Sequence, residues 1–437
     1  MFLGSFLHSQ ASRLLAQGDN EKAVMKLDRL LKICPDFGTA YNDRGVAQLN
    51  LQRYDSALRD LQVSAELLPE NAIVLANLGL AFRRLNRCNE GQFACAEAIR
   101  LDPHCSAGYA HLVSNLIGLE DYESALEPAR RAVELSPKMA AAHCNLGLVL
   151  LKLGCGLEAL DSCYRALELD PNLAVAHSNV GLVHLEKKDY LEAEKRFRCF
   201  LQLQPGFVMG NSNLAAALLG QGRYHEALYY AEKACELGSG EPEALVNLGL
   251  ALINLGRPFE ALSPLREALE SKPHCAAAHS NLGLAFSKLG DHELALECAS
   301  RAIQLNPSLS HPVNNRGVVY ARMGNFERAI EDLTRAIELD PRSPLPYVNR
   351  GWASSLKGDF EQARRDCESA LARDPELSVA RSLLGQAMVE TGSPEKGARE
   401  IARSFAGAYC RWPDKAVKGP VILAEPMFLL FTWPRSN

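Results

Sequence analysis

Apolar side chains recur along this chain at intervals of three and four residues, in blocks that come in pairs. Within residues 276–309, one apolar stripe covers 282–286 and a second covers 294–303. This spacing matches one face of an α-helix and not the alternation of a β-strand. Between the stripes, Gly290 and Asp291 provide a turn and a capping residue. The pattern predicts two amphipathic helices joined by a short turn.

The same helix pair is repeated every 34 residues. Prolines end successive pairs at 35, 69, 103, 137, 171, 205, 273, 307, 341 and 375. Proline closes a helix because the residue before it is pushed out of the α region. Among the clear repeats, glycine recurs in the first helices except at Val113 and Ala215, and alanine recurs in the second helices except at Gly91. Larger side chains at these positions would push the crossing helices apart, so we assign the glycines and alanines to the scaffold.

A 34-residue helix pair with glycine, alanine and proline at fixed positions resembles the tetratricopeptide repeat. The resemblance covers residues 4–411, which hold about twelve repeats. The repeats are clear from 38 to 377, whereas 4–37 and 378–411 are degenerate, as expected of terminal repeats that face solvent. The resemblance implies an all-α fold, an α-solenoid in which helix-turn-helix units form a right-handed superhelix. In such arrays the first helices line the concave inner wall.

Asparagine stands two residues before the repeated glycine in most repeats. The predicted ladder comprises Asn77, Asn145, Asn179, Asn213, Asn247, Asn281, Asn315 and Asn349. A primary amide both donates and accepts hydrogen bonds, so a row of them can pair with the backbone of an extended chain. We predict that these residues bind peptide. The alternative is a structural role, in which each amide bonds within its own repeat.

The sequence Ala-His-Ser-Asn-Leu-Gly at 278–283 is similar to repeat sequences in the array that precedes the catalytic part of O-linked N-acetylglucosamine transferases. There an asparagine ladder holds extended protein substrates. Only 26 residues follow position 411 here, too few for a transferase domain. The resemblance therefore implies the groove and not the activity.

The remaining inner wall is predicted to be small and apolar, which favours an extended and rather apolar protein segment as partner. Trp352 falls in the same row, and an exposed groove aromatic is a typical binding anchor. Its alternative role is packing against the adjacent repeat. The chaperone carboxylate clamp is not expected, because its basic positions are occupied by residues such as Thr39, Ile73 and His111.

Composition limits which classes of partner and which cellular compartment are expected. A net charge of −5 over 437 residues indicates neither a nucleic-acid nor an anionic-membrane partner. Thirteen cysteines lack a Cys-x-x-Cys motif and fit a reducing, cytoplasmic location. His143, His177 and His279 share one repeat position, but packing explains them better than metal binding. With no phosphate loop and no His-Glu-x-x-His motif, we predict no metal, no cofactor and no enzymatic activity.

Residues 412–437 break the repeat with four prolines and the apolar run Met-Phe-Leu-Leu-Phe-Thr-Trp at 427–433. We predict a cap on the last repeat, with occupancy of a groove as the alternative. The predicted function is a non-catalytic scaffold that binds an extended peptide. Two alternatives stay open: a structural protein that self-associates through its outer face or tail, and an adaptor for a separately encoded enzyme.

Overall fold

The computed structural model describes residues 2–238 and 240–409. Within these residues the secondary structure consists of twenty-four α-helices and no strand. The chain divides into two compact units, Met1–Pro205 and Gly206–Asn437. The predicted all-α class and its 34-residue helix pairs are therefore confirmed.

The first unit contains six helix pairs. Its helices are α1 (Phe2–Ala16), α2 (Asn20–Ile33), α3 (Gly38–Asn50), α4 (Tyr54–Leu67), α5 (Ala72–Arg84), α6 (Cys88–Leu101), α7 (Ser106–Gly118), α8 (Tyr122–Leu135), α9 (Ala140–Lys152), α10 (Gly156–Leu169), α11 (Ala174–Glu186) and α12 (Tyr190–Leu203).

The second unit repeats this arrangement. Its helices are α13 (Val208–Gly220), α14 (Tyr224–Leu237), α15 (Pro242–Asn254), α16 (Pro258–Ser271), α17 (Ala276–Leu289), α18 (His292–Leu305), α19 (Ser310–Arg322), α20 (Phe326–Leu339), α21 (Leu345–Lys357), α22 (Phe360–Arg373), α23 (Ser378–Glu390) and α24 (Pro394–Tyr409).

The spacing of the helices distinguishes an inner and an outer side in each unit. Successive first helices contact one another, as α3 contacts α5 and α5 contacts α7 in the first unit, and α15 contacts α17 in the second. Among the described residues of each unit, no second helix contacts the next second helix. The first helices are therefore the more closely spaced row and form the inner side of each unit.

Glycine stands where the two helices of most clear repeats cross, except at Val113 and Ala215. A Cβ on Gly147 would lie 2.3 Å from Sγ of Cys163, and one on Gly181 would lie 2.6 Å from the ring of Phe197. Both distances are far below van der Waals contact. The repeated glycine thus lets the second helix pack directly against the backbone of the first.

Each helix pair turns through one residue in the left-handed backbone region. Glycine fills this position in eight repeats, at 18, 154, 222, 256, 290, 324, 358 and 392. Gln52, Asn86, Glu120 and Lys188 fill it in the other four, with φ between 58° and 61°. The turn geometry is therefore kept even where the sequence does not supply glycine.

Two features bear on the earlier expectations. No helix in 2–238 or 240–409 combines the length and the apolar character that crossing a bilayer requires. The predicted cap at 412–437 lies outside the described residues.

Candidate functional site

The predicted asparagine ladder lies on the inner first helices of both units. Asn77, Asn145 and Asn179 belong to the first unit, and the remaining five belong to the second. Seven of the eight side chains are half-buried, whereas Asn179 is buried at 3% exposure. The ladder positions therefore sit at the floor of the inner face.

Four of these amides connect neighbouring repeats by hydrogen bonds to the residue 35 positions earlier. Nδ2 of Asn77 donates to Oδ1 of Asn42 at 2.9 Å, and Nδ2 of Asn349 donates to Oδ1 of Asn314 at 2.8 Å. Asn247 donates to the Ser212 carbonyl at 3.0 Å, and Asn179 donates to the Cys144 carbonyl at 3.4 Å. These bonds join successive repeats and do not stay within one repeat.

A primary amide has two N–H donors and an oxygen acceptor, so one inter-repeat bond uses only part of its capacity. A ligand backbone at the half-buried positions could engage the rest. The same side chain can therefore hydrogen-bond to the preceding repeat and also bind a ligand.

Exposed apolar side chains stand one helical turn before several ladder asparagines. They are Ile73, Val175, Met209 and Leu345, each four residues before an asparagine, with exposures of 59%, 47%, 39% and 43%. Residues i and i+4 share one helix face. Each such pair presents an apolar side chain beside an amide on the inner face. Sequence reasoning used Ile73 only to exclude the carboxylate clamp, although its spacing from Asn77 was visible.

The predicted exposure of Trp352 is wrong. The sequence prediction offered it as an exposed groove aromatic, but its side chain is only 6% exposed. It packs in a core cluster with Tyr347, Val348 and Leu384. Because α21 is followed closely by α23, this ring is covered by the adjacent repeat, which was the alternative interpretation.

The repeated histidines have a structural explanation. Nε2 of His143 lies 2.9 Å from the Pro137 carbonyl, and His177 makes the equivalent contact with Pro171 at 3.0 Å. His279 contacts the Pro273 carbonyl at 3.1 Å. Each imidazole thus satisfies the carbonyl of the proline that closes the preceding repeat.

The ladder is interrupted at His111. Burial, and then the neighbouring Arg84, lower the pKa of His111 to about 4, because both disfavour the charged imidazolium. One turn later, Nδ2 of Asn115 donates to the carbonyls of His111 and Gly79 at 2.9 and 3.2 Å. This junction between α5 and α7 is therefore held by buried polar contacts of its own.

Sequence reasoning missed a set of half-buried arginine–aspartate pairs. Arg44 binds both carboxylate oxygens of Asp60 at 2.7 Å, and this hydrogen bonding raises the pKa of Arg44. The same geometry joins Arg316 to Asp332. The third pair joins Arg350 to Asp366. The signal was arginine directly before the repeated glycine with aspartate 16 residues later. The other clear repeats carry Leu or Val at the arginine position.

The described part of the chain also contains potential metal ligands and buried thiols. No group of three or more His, Cys, Asp or Glu there could hold a metal ion. Burial raises the pKa of both Cys144 and Cys163 to about 12, which keeps these thiols protonated. Neither thiol is a candidate nucleophile.

Comparison with known families finds the same kind of repeat along much of the chain. Family models described as tetratricopeptide repeat match residues 8–72, 140–173, 212–238, 246–310, 282–345 and 346–377. These matches fall in both units.

Individual relatives share shorter stretches. Sperm-associated antigen 1 of Rattus norvegicus is 31% identical over 102 residues, 23% of this chain and 11% of the relative. The phagocyte signaling-impaired protein of Drosophila pseudoobscura pseudoobscura is 29% identical over 110 residues, 25% of this chain and 11% of the relative. The matched stretch thus spans about a tenth of these relatives.

A solved structure resembles most of the chain. A chain from the crystal structure of the APC/C hetero-tetramer Cut9–Hcn1 aligns with 93% of this chain and 94% of its own length. The TM-score is 0.55 at 13% sequence identity. At this identity the similarity is one of fold.

Proposed function

This chain belongs to the tetratricopeptide repeat family, and from that premise we propose a specific form of the family's role as a protein-interaction scaffold. The chain is a non-catalytic scaffold that binds an extended, rather apolar segment of a partner protein. The segment lies along the inner face of the first helices. The proposed setting is the cytoplasm, with a protein rather than nucleic acid or membrane as partner.

The observation that carries the proposal is the pairing of an exposed apolar side chain with an amide one turn later. Ile73 and Asn77 form such a pair in the first unit, and Met209 and Asn213 form one in the second. An extended chain alternates backbone polar groups with side chains. The amides suit the former by hydrogen bonding, and the apolar side chains suit the latter by burial.

The Cut9–Hcn1 chain, which shares the fold, was crystallised as part of a hetero-tetramer. Assembly with another protein is thus compatible with this architecture. The apolar character proposed for the partner comes from the inner face of this chain alone.

The test selects peptides from a displayed random library on the intact protein and measures their affinities by fluorescence anisotropy. One inner-face variant carries Ile73→Asp and Val175→Asp, and a second carries Met209→Asp and Leu345→Asp. The matched control carries Leu157→Asp and Leu191→Asp, which are 78% and 72% exposed on second helices. All replacements are at exposed positions, so the fold should be retained.

We expect at least one inner-face variant to bind the selected peptides about tenfold more weakly, equivalent to 1.4 kcal/mol. The control should bind as the intact protein does. Equal binding by intact protein and both inner-face variants, with loss in the outer-face control, would reject the inner face as the binding surface.

The asparagines need a separate measurement, because some of them also join repeats. A variant with Asn213→Ala, Asn247→Ala and Asn281→Ala is compared with intact protein for peptide affinity and thermal midpoint. Weaker binding at an unchanged midpoint supports the ladder as a ligand site. A lower midpoint with unchanged affinity assigns the asparagines to the scaffold.

A further inference from the structure

A second concave surface of the first unit lies on the side opposite the inner face. An open cleft of about 640 Å³ lies between α5 and α6, beside the loop that follows α4. Its apolar lining comprises Pro69, Leu75, Leu78, Phe82, Phe93 and Ala94. The α5 side chains on its floor are largely covered, since Leu78 is 9% and Phe82 is 8% exposed.

A small residue, Ala94, belongs to the lining of the cleft. Ala94 is the smallest side chain at its repeat position, where other repeats carry Asp60, Pro128 or Tyr230. In the preceding repeat, Asp60 and its partner Arg44 occupy the corresponding space with a bidentate ion pair. Leu78 and Ala94 take the places of that pair here, and both line the cleft.

The rim of the cleft carries an exposed aromatic side chain. Phe93 is 71% exposed, although it adjoins the apolar lining. A large apolar side chain beside an apolar concavity is typical of an interaction surface. Phe82 at the floor is only 8% exposed, and the Arg87 guanidinium lies 4.8 Å from its ring centroid. The floor is therefore ordered before any ligand arrives.

The charge of the lining identifies the chemistry of the occupant. The charged residues of the lining are Glu90 and Glu97. Their partners Arg87 and Arg100 form exposed ion pairs with them, which contribute little and exchange readily. A cationic group on a ligand can therefore compete for either carboxylate.

We propose that this outer cleft binds a partner-protein segment in which large apolar side chains are flanked by lysine or arginine. The apolar side chains enter beside Phe93, over Leu78 and Ala94, and the basic flanks reach Glu90 and Glu97. The cleft volume falls within the range of roughly 300–1,000 Å³ that is usual for binding pockets. This proposal is independent of peptide binding on the inner face, since it uses the opposite side of the repeats.

The test uses two fluorescein-labelled peptides of equal length with the same Phe and Leu core, one flanked by lysines and the other by glutamates. Binding is measured for the intact chain, for Phe93→Asp and for Phe259→Asp. Phe259 is 74% exposed on a second helix of the other unit and serves as the matched control. We expect the lysine-flanked peptide to bind the intact chain at least tenfold more tightly than the glutamate-flanked one. Phe93→Asp should weaken that binding tenfold, and Phe259→Asp should leave it unchanged.

A charge-reversed variant, Glu90→Lys with Glu97→Lys, provides a second readout that does not depend on Phe93. It should lose the preference for the lysine-flanked peptide and favour the glutamate-flanked one. An intact chain without preference between the peptides, or equal loss in both phenylalanine variants, would overturn the proposal. Sedimentation equilibrium checks the other occupant. If Phe93→Asp converts a dimer to a monomer, the cleft is filled by a second copy and the proposal is wrong.

Discussion

Asn115 occupies the space that a Cβ on Gly91 would need. A Cβ at that position would lie 2.1 Å from Oδ1 of Asn115, an overlap that no side-chain adjustment of a few tenths of an ångström relieves. Gly91 is the one departure from alanine among the clear repeats, and Asn115 stands where the other clear repeats carry Ala or Val. The two unusual residues occur together because the larger Asn115 on α7 requires the smaller Gly91 on α6.

We therefore predict that Gly91→Ala destabilises the protein, although it restores the residue that the other repeats carry. The overlap should cost about 1–3 kcal/mol. In the Asn115→Ala background the same change should stabilise by about 0.5–1 kcal/mol, because alanine is the better helix former. Urea denaturation of the four proteins, followed by circular dichroism, measures the coupling. Additive effects in this cycle would contradict the proposed contact.

The ion pair between Arg350 and Asp366 yields a second prediction. Nη2 of Arg350 lies 2.7 Å from Oδ1 of Asp366, whose side chain is 3% exposed. Asp366→Ala alone should destabilise by about 3 kcal/mol or more, because it leaves a half-buried guanidinium without its carboxylate. Arg350→Leu with Asp366→Ala reproduces the Leu78 and Ala94 combination found in another repeat. This double variant should recover most of the loss in urea denaturation, and a double variant as unstable as the single one would refute the argument.

The left-handed turn residues make a third prediction. Glu120 has φ 58°, a conformation that costs a residue with a Cβ about 1 kcal/mol and costs glycine little. Glu120→Gly should therefore raise the thermal midpoint. The matched change Gly154→Ala, at φ 78° in the next repeat, should lower it. A fall in the midpoint for Glu120→Gly would show that the Glu120 side chain matters more than its backbone conformation.

The lowered pKa of His111 predicts a pH dependence. Between pH 6.5, the usual pKa of histidine, and pH 4, the unfolded chain takes up a proton that the folded chain does not. The contribution of His111 to stability is therefore complete above pH 6.5 and is lost as the pH falls to 4, by at most about 3 kcal/mol.

The measurement compares the intact chain with His111→Asn, which places at this position the residue that most repeats carry. Urea midpoints are recorded at several pH values from 7 to 4, using the variant to subtract the titration of the carboxylates. The intact chain should lose stability more steeply with acidification. Parallel pH profiles would show that His111 is accessible enough to protonate in the folded state.

Much of the fold could be predicted from the sequence because each repeat carries its own helix signals. Apolar spacing, the proline after most second helices and the glycine at most turns are local features, so helices such as α17 and α18 could be outlined from residues 276–309 alone. The four turns without glycine show the limit of that reasoning. Gln52 adopts the same backbone conformation as Gly290 because the packed helices on either side require it.

The candidate site was less predictable than the fold. Register alone placed the asparagines on the first helices, but it could not show that Asn77 bonds to Asn42 of the preceding repeat. Nor could it show that the next repeat buries Trp352. Hydrogen bonding between repeats and burial depend on how closely neighbouring helices approach, which no single repeat encodes.

The sequence by itself determined the period, the helix pairs and the identity of the residues on each helix face, because these follow from local backbone preferences and from the 3.6-residue turn. Only the tertiary structure decided which polar side chains are used between repeats, why Gly91 and Asn115 occur together, and where the cleft beside Phe93 opens. Those outcomes depend on the volumes of side chains that meet across separate helices, and packing at that contact distance is a property of the assembled repeats.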